Sequence, residues 1–290
     1  MSPPAGSGSA DAAAPRSGGP ARAADAGPDL FERVGRPVAA ALSTVGEVSL
    51  FGGRALIDMW RPPYEIDEVL RQVYELGFRS VPLIATSGLA VGVVLSMHTR
   101  ATLERFGADS LIPAGLALAL VRETGPLVTG LLLAGRIGAG IGAELAAMKV
   151  TEQIDALEAS AVDAFKFLVV TRVAACMLSL PLLVTVMNFA GMTGGLLAEY
   201  LIDGIPPSLY FQRAFSALQF HDYIPATIKT IVFGFIISTI SSYLGFTTTQ
   251  GTEGVGRAST RSVVLSSILI ITINVLLVRL IFFIFPEAAG

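Results

Sequence analysis

The sequence predicts an all-α integral membrane protein, in which an N-terminal interfacial amphipathic helix precedes five transmembrane helices. Three observations carry that prediction. Of the 290 residues, 52% are hydrophobic and only 15% charged, with a mean hydropathy of +0.66, whereas about a quarter of an ordinary soluble domain is charged. The charges gather in short segments separated by apolar stretches, five of which reach the ~20 residues that cross a bilayer. Ahead of them, apolar and charged residues alternate at helical rather than membrane-spanning periodicity.

The same composition excludes several functions. The formal net charge is −3, and no basic face recurs along the chain, so a nucleic-acid partner is not expected. One cysteine, Cys176, lies in an apolar run, and the histidines are His98 and His221. That set builds neither a disulfide framework nor a Cys/His metal cluster.

Residues 1–28 are Ala, Gly, Pro and Ser with a few charges, a composition that buries too little to offset the entropy of ordering. They read as a disordered tail, and no charged segment leads into a short apolar one as in a signal peptide. Residues 29–80 form an amphipathic helical region. Phe31, Val34, Val38, Ala41, Leu42 and Val45 recur at helical spacing opposite Glu32, Arg33 and Arg36, which suits a helix in the membrane interface or a soluble hairpin packed on a partner. Trp60 and Arg61-Pro62-Pro63 anchor and break it, and Ile66, Val69, Leu70, Val73 and Gly77 repeat the pattern in a second short helix.

The transmembrane region occupies 81–290, although its first apolar stretch begins near Leu76. The stretches run from Leu76 to Met97, Leu111 to Ala147, Phe167 to Leu197, Ile224 to Phe246 and Ser262 to Phe285. The second is longer than one crossing needs, and Pro126 removes a backbone hydrogen bond where it could bend. Arg54, Arg61, Arg71 and Arg79, then Lys149, Lys166 and Arg172, then Arg257 and Arg261 all fall on one side, which the positive-inside rule makes the cytoplasm. The N-terminus is then cytoplasmic and the C-terminus external.

Within the second stretch Arg122, Glu123, Arg136 and Glu144 interrupt apolar sequence. Facing lipid, each would cost several kcal/mol, so they should face protein, a wet cavity or the interface. Arg136 and Glu144 are spaced to lie near one helical face, among small residues that allow close helix approach. Either an intramembrane ion-pair and packing role or a substrate role fits them. For Arg122 and Glu123 a cavity is preferred, because adjacent opposite charges at depth suit a zwitterionic or anionic headgroup.

The segment 148–165, MKVTEQIDALEASAVDAF, interrupts the apolar pattern between the second and third stretches. Val150, Ile154, Leu157 and Ala161 line one helical face, with Glu152, Asp155 and Glu158 elsewhere. Such a helix is too short and polar to cross a bilayer, and its narrow apolar face suits the interface or a groove on another protein.

The run from Ala119 to Phe165, with GRIGAGIGAELAAMKVTEQIDALEA at its centre, strongly resembles the MlaE/YrbE family of ABC-transporter permeases that work with MCE proteins. TEGVGRASTRSVVLSS, Thr252 to Ser267, is similar to that family's loop entering its last span. The resemblance covers residues from about 45 to 285. It implies a homodimer of five-span subunits in the cytoplasmic (inner) membrane, with segment 148–165 as a cytoplasmic coupling helix received by a separate ABC ATPase subunit. Glu152, Gln153, Asp155, Leu157, Glu158 and Asp163 become candidate coupling contacts, and Arg122 and Glu123 candidate lipid contacts. It further implies phospholipid or related lipid as cargo, an MCE-domain protein as periplasmic partner and room for an accessory STAS-type subunit. The sequence departs from the family at Ala161, Val162, Asp163 and Ala164, where Gly-x-Asp-Pro is frequent, at Thr171 before Arg172, where Pro is frequent, and at Asn274, where Asp is common.

No nucleotide-binding motif occurs: GTEGVG, Gly251 to Gly256, has neither the lysine nor the preceding strand of a phosphate loop. The chain is therefore expected to be non-catalytic and without a cofactor of its own, ATP being used by the partner ATPase. Two competing readings are an ion-coupled secondary transporter, which lacks support from internal repeats, and an intramembrane lipid-modifying enzyme, for which no nucleophile–base pair or metal site is apparent.

Overall fold

The computed structural model describes residues 30–249 and 251–284, and every regular element among them is helical. The tail 1–28 lies outside the described residues, as do the side chains of Phe31, Val34, Val38, Ala41 and Leu42 that carry the N-terminal amphipathic pattern. The chain divides into two compact units, residues 1–45 and 46–290. The described part of the first is the helix that begins at Leu30.

In the second unit that helix continues to Met59. It buries Ala55, half-buries Phe51 and Met59, and leaves Leu50 and Ile57 exposed, as is Trp60 just after it. Five stretches among the described residues are long and apolar enough to cross a membrane. They are span one (Ile66–Phe106), span two (Asp109–Val150), span three (Lys166–Asp203), span four (Phe220–Phe246) and span five (Gly251–Ile281). The chain is an all-α, multi-pass membrane protein.

Span one differs from its expected form. Ile66–Gln72 runs on through a π turn, Val73–Gly77, and a 3-10 turn, Phe78–Ser80, into helix Val81–Leu103. Pro82 does not interrupt it because it stands in the first turn, where its missing N–H leaves no hydrogen bond unmade. The separate second amphipathic helix is therefore the start of span one.

Spans two, three and four make the centre. Leu133, Ile137 and Ile141 meet Leu180, Leu183 and Met187 and also Phe233 and Ile237, with Ile84 of span one and Ile270 of span five closing the cluster. Helices in lipid gain little from the hydrophobic effect, so close approach does much of the work. A Cβ on Gly92 of span one would overlap the Gly191 carbonyl of span three, and one on Gly194 would overlap the Leu89 carbonyl. Beyond that contact Ser96 donates to Glu199 at 2.7 Å, and Arg100 pairs with Glu199 and Asp203. Several buried hydroxyls return to their own helix, as Thr171 does to the Phe167 carbonyl and Ser238 to that of Gly234. Span five leaves Val264, Ile268, Ile271, Val275 and Leu276 exposed, an apolar outer face suited to lipid.

Between spans two and three the helix is shorter than the sequence pattern suggested, Gln153–Ala159; its end of the bundle is the lower end. Ile154 is buried, and Leu157 packs partly buried against the main core. The apolar face is thus used largely inside the chain, and the exposed residues of the helix are its polar ones and its alanines. Ala161, placed on that face by periodicity, lies beyond the helix and is exposed. The helix is bounded by two non-glycine residues in the left-handed region, Glu152 at φ 59° and Ala161 at φ 61°.

Candidate functional site

Where Pro126 follows Arg122 by four residues, an α-helix would need a hydrogen bond that proline cannot give. The chain resolves this with a π turn, Leu120–Thr124, ahead of helix Gly125–Leu133, a device frequent at functional sites. The Arg122 carbonyl instead accepts from Lys229 Nζ of span four at 3.1 Å. Local backbone chemistry and a tertiary contact therefore meet at the residues the sequence singled out.

Arg122 bonds Asp222 Oδ1 at 2.7 Å, and Glu123 Oε1 accepts from Lys229 Nζ at 2.8 Å. Asp222 and Lys229, seven residues apart, lie on one face of span four. Asp222 also accepts the Gln219 N–H at 3.0 Å in a capping box that starts the helix. Glu123 Oε2 takes a second donor, Asn274 Nδ2 of span five, at 3.2 Å. A carboxylate only accepts, so the amide supplies what an aspartate at 274 could not when ionised.

The cluster is asymmetric in exposure. The Lys229 and Asp222 side chains are 1% exposed, whereas Arg122 is 31% and Glu123 45% exposed. Span four thus holds the buried member of each pair and span two presents the accessible member. They line a cleft with His221, Pro225, Val278 and Ile281, of about 70 Å³. That is far below the ~300 Å³ or more of a pocket for a drug-sized ligand, so one chain supplies a charged wall and not a closed cavity. His221 Nε2 stands 3.6 Å from Asp222.

The remaining candidates separate into two groups. Arg136 and Glu144 both find partners on other spans, but not each other. Arg136 donates to the Arg79 carbonyl of span one, while Glu144 accepts from the buried Arg172 of span three at 2.8 Å. A second π turn within span two, Ala134–Gly138, contains Arg136 and breaks the α-helical register that would align residues eight apart.

At the lower end Glu152, Gln153, Asp155 and Glu158 are exposed and point away from the bundle's core. Asp155 pairs with Lys149 at 2.8 Å. Asp163 accepts the Lys166 N–H at 3.1 Å, which caps the start of span three, and Leu157 is packed inward.

Asp222 and Lys229 were missed in the sequence. Lys229 carried a signal, being the sole base between Ile224 and Phe246, and an intramembrane lysine is costly unless paired. Asp222 carried none, since its role as a cap and partner depends on the fold.

The family model described as Permease MlaE matches residues 69–280. This chain belongs to the MlaE permease family. It is 41% identical over 255 residues to a probable ABC transporter permease protein of Rickettsia felis, covering 88% of this chain and 98% of the relative. A probable ABC transporter permease of Synechocystis, slr1045, is 36% identical over 213 residues, covering 73% of this chain and 81% of that protein. The chloroplastic protein trigalactosyldiacylglycerol 1 of Arabidopsis thaliana is 33% identical over 219 residues, covering 76% of this chain and 63% of its own. As an MlaE-family ABC-transporter permease, the chain has an ABC ATPase as its partner.

Proposed function

We propose that this permease moves phospholipid, or a related lipid, between the inner membrane and an MCE-type periplasmic protein. One observation carries the reading: two accessible charges, Arg122 and Glu123, are held beside a cleft by buried partners on span four. A phosphate could join Asp222 at the accessible Arg122, and an amine could join Lys229 at the accessible Glu123, so that each buried charge keeps its counter-charge. The plant relative, whose name is that of a galactolipid, supports lipid as the cargo class.

The small size of the single-chain cleft supports a homodimer in which two charged walls enclose one lipid path. With Lys149, Lys166, Arg257 and Arg261 on the cytoplasmic side, the cluster lies in the outer half of the membrane, the C-terminus is periplasmic, and helix Gln153–Ala159 faces the ATPase. The acidic outward face of that helix, more than its apolar face, then meets the partner. ATP hydrolysis belongs to the ATPase subunit, and a STAS-type accessory subunit would bind outside this chain.

Phospholipid content of the purified permease–ATPase complex tests the cargo site. Wild type should retain phospholipid through size exclusion, and Glu123→Gln, which keeps a hydrogen-bonding side chain, should retain less than about a third of it, a loss near 0.7 kcal/mol. Equal phosphorus per chain in the two would remove the cluster from the lipid path.

A further inference from the structure

At the lower end, the first aromatic residue after helix Gln153–Ala159 is Phe165, which is buried just before span three begins. Its ring meets Phe51 of the N-terminal helix edge-on at 5.0 Å and Phe246 of span four at 6.4 Å. Phe51 in turn packs edge-on against Tyr243 of span four at 5.6 Å. The Arg54 guanidinium covers the Phe165 ring at 4.2 Å. One residue on, Lys166 Nζ donates to the Arg61 carbonyl, where the N-terminal helix has ended, at 2.6 Å.

These contacts join three elements that are remote in sequence. Edge-to-face rings and a guanidinium over a ring are directional contacts, so a shift of one ring changes its contacts with the others. The N-terminal helix is also seated tightly on span four, since a Cβ at Gly52 would come within 2.9 Å of the Phe235 ring. By contrast, the loop leading into Phe165 borders a polar cleft of about 490 Å³ beside Arg61, Pro62 and Glu65. The loop has room to move while Phe165 is held.

We propose that Phe165 is a positioning residue that passes displacement of the helix Gln153–Ala159 into the N-terminal helix and span four together, through Phe51 and Phe246. The N-terminal helix is then a moving part of the transport cycle and more than a membrane float. Span four carries Asp222 and Lys229, so the same contact links the ATPase to the buried halves of both ion pairs. The inference rests on Gln153–Ala159 being the ATPase contact, and a double-mutant cycle supplies the coupling evidence that proximity alone does not.

The test uses the full permease–ATPase complex in proteoliposomes and reads lipid transferred per ATP hydrolysed. Phe165→Ala and Phe51→Ala should each lower that ratio about ten-fold while the ATPase co-purifies at wild-type stoichiometry, and the double variant should be no worse than either single one. Phe165→Tyr, which keeps the ring, should restore the ratio to within about two-fold, and Phe165→Leu should not. Should an alanine variant fail to assemble, the Tyr and Leu variants decide the matter. A ratio within about two-fold of wild type for Phe165→Leu, or singly harmful substitutions whose effects multiply, would overturn the proposal. Charge reversal at Glu152 and Asp155 tests the underlying contact separately: if it leaves ATPase binding intact, the docking assignment fails whatever Phe165 does.

Discussion

The charged cluster between spans two, four and five and the acidic helix at the lower end use the same residue types for opposite ends. In the cluster each carboxylate is bonded within the chain, Asp222 to Arg122 and Gln219, Glu123 to Lys229 and Asn274. On helix Gln153–Ala159 and its leading turn, Glu152, Gln153 and Glu158 point outward, and only Asp155 has an ion-pair partner, the half-buried Lys149. Charge compensated within the fold is costly to disturb, whereas solvated charge is nearly free for the fold and available to a second protein.

The largest predicted effect follows from stranding Lys229. Glu123→Ala leaves a buried ammonium without its carboxylate and should destabilise the purified protein by about 3 kcal/mol, read as a fall in apparent melting temperature in detergent. Glu123→Gln should cost clearly less, which makes it the better probe of lipid contact. Next, Asn274→Asp replaces the donor to Glu123 with an acceptor and should cost about 2 kcal/mol at neutral pH, measured by the same melting experiment.

A smaller change of opposite sign is expected at the lower end. Ala161 adopts φ 61°, where an L side chain is strained and glycine is not. Ala161→Gly should stabilise the loop by up to about 1 kcal/mol, visible as slower exchange of the Ala159–Ala164 amides. Smallest for the fold is Glu152→Lys with Asp155→Lys, which should shift stability by no more than about 0.5 kcal/mol yet remove the ATPase from the co-purified complex. A large melting shift in that variant would erase the contrast between the two regions.

Much of the fold was legible because the bilayer imposes a length and a polarity on every span. Five apolar stretches became five spans, and Pro126 marked the place where span two departs from α-helix, although as a π turn. Periodicity failed where a helix was short. Over 148–165 it assigned Val150, Ile154, Leu157 and Ala161 to one apolar face for the interface or a partner's groove, but Ile154 and Leu157 are packed against the chain's own core, and the helix ends at Ala159, short of Ala161, which is itself left-handed. The π turn at Ala134–Gly138 likewise undid the spacing argument for Arg136 and Glu144. In the cluster, sequence singled out Arg122 and Glu123 through their cost in lipid, while their partners stand about a hundred residues away and became visible only with the packing of span four.

The departures from the family pattern acquire local explanations. Ala161 occupies a left-handed position that favours the glycine frequent there, and Asn274 supplies Glu123 with a donor that an ionised aspartate could not. Thr171 closes a hydrogen bond to the Phe167 carbonyl at 2.6 Å beside the π turn Lys166–Val170.

The most direct test of a charged lipid path driven from the lower end is transfer of a labelled phospholipid by proteoliposomes carrying the permease, its ATPase and the MCE-type partner. Wild type should transfer lipid only with hydrolysable ATP, and Glu123→Gln should reduce transfer about ten-fold, or 1.4 kcal/mol, with the ATPase still bound. Transfer that ignores ATP, or that proceeds equally in the variant, would contradict the account.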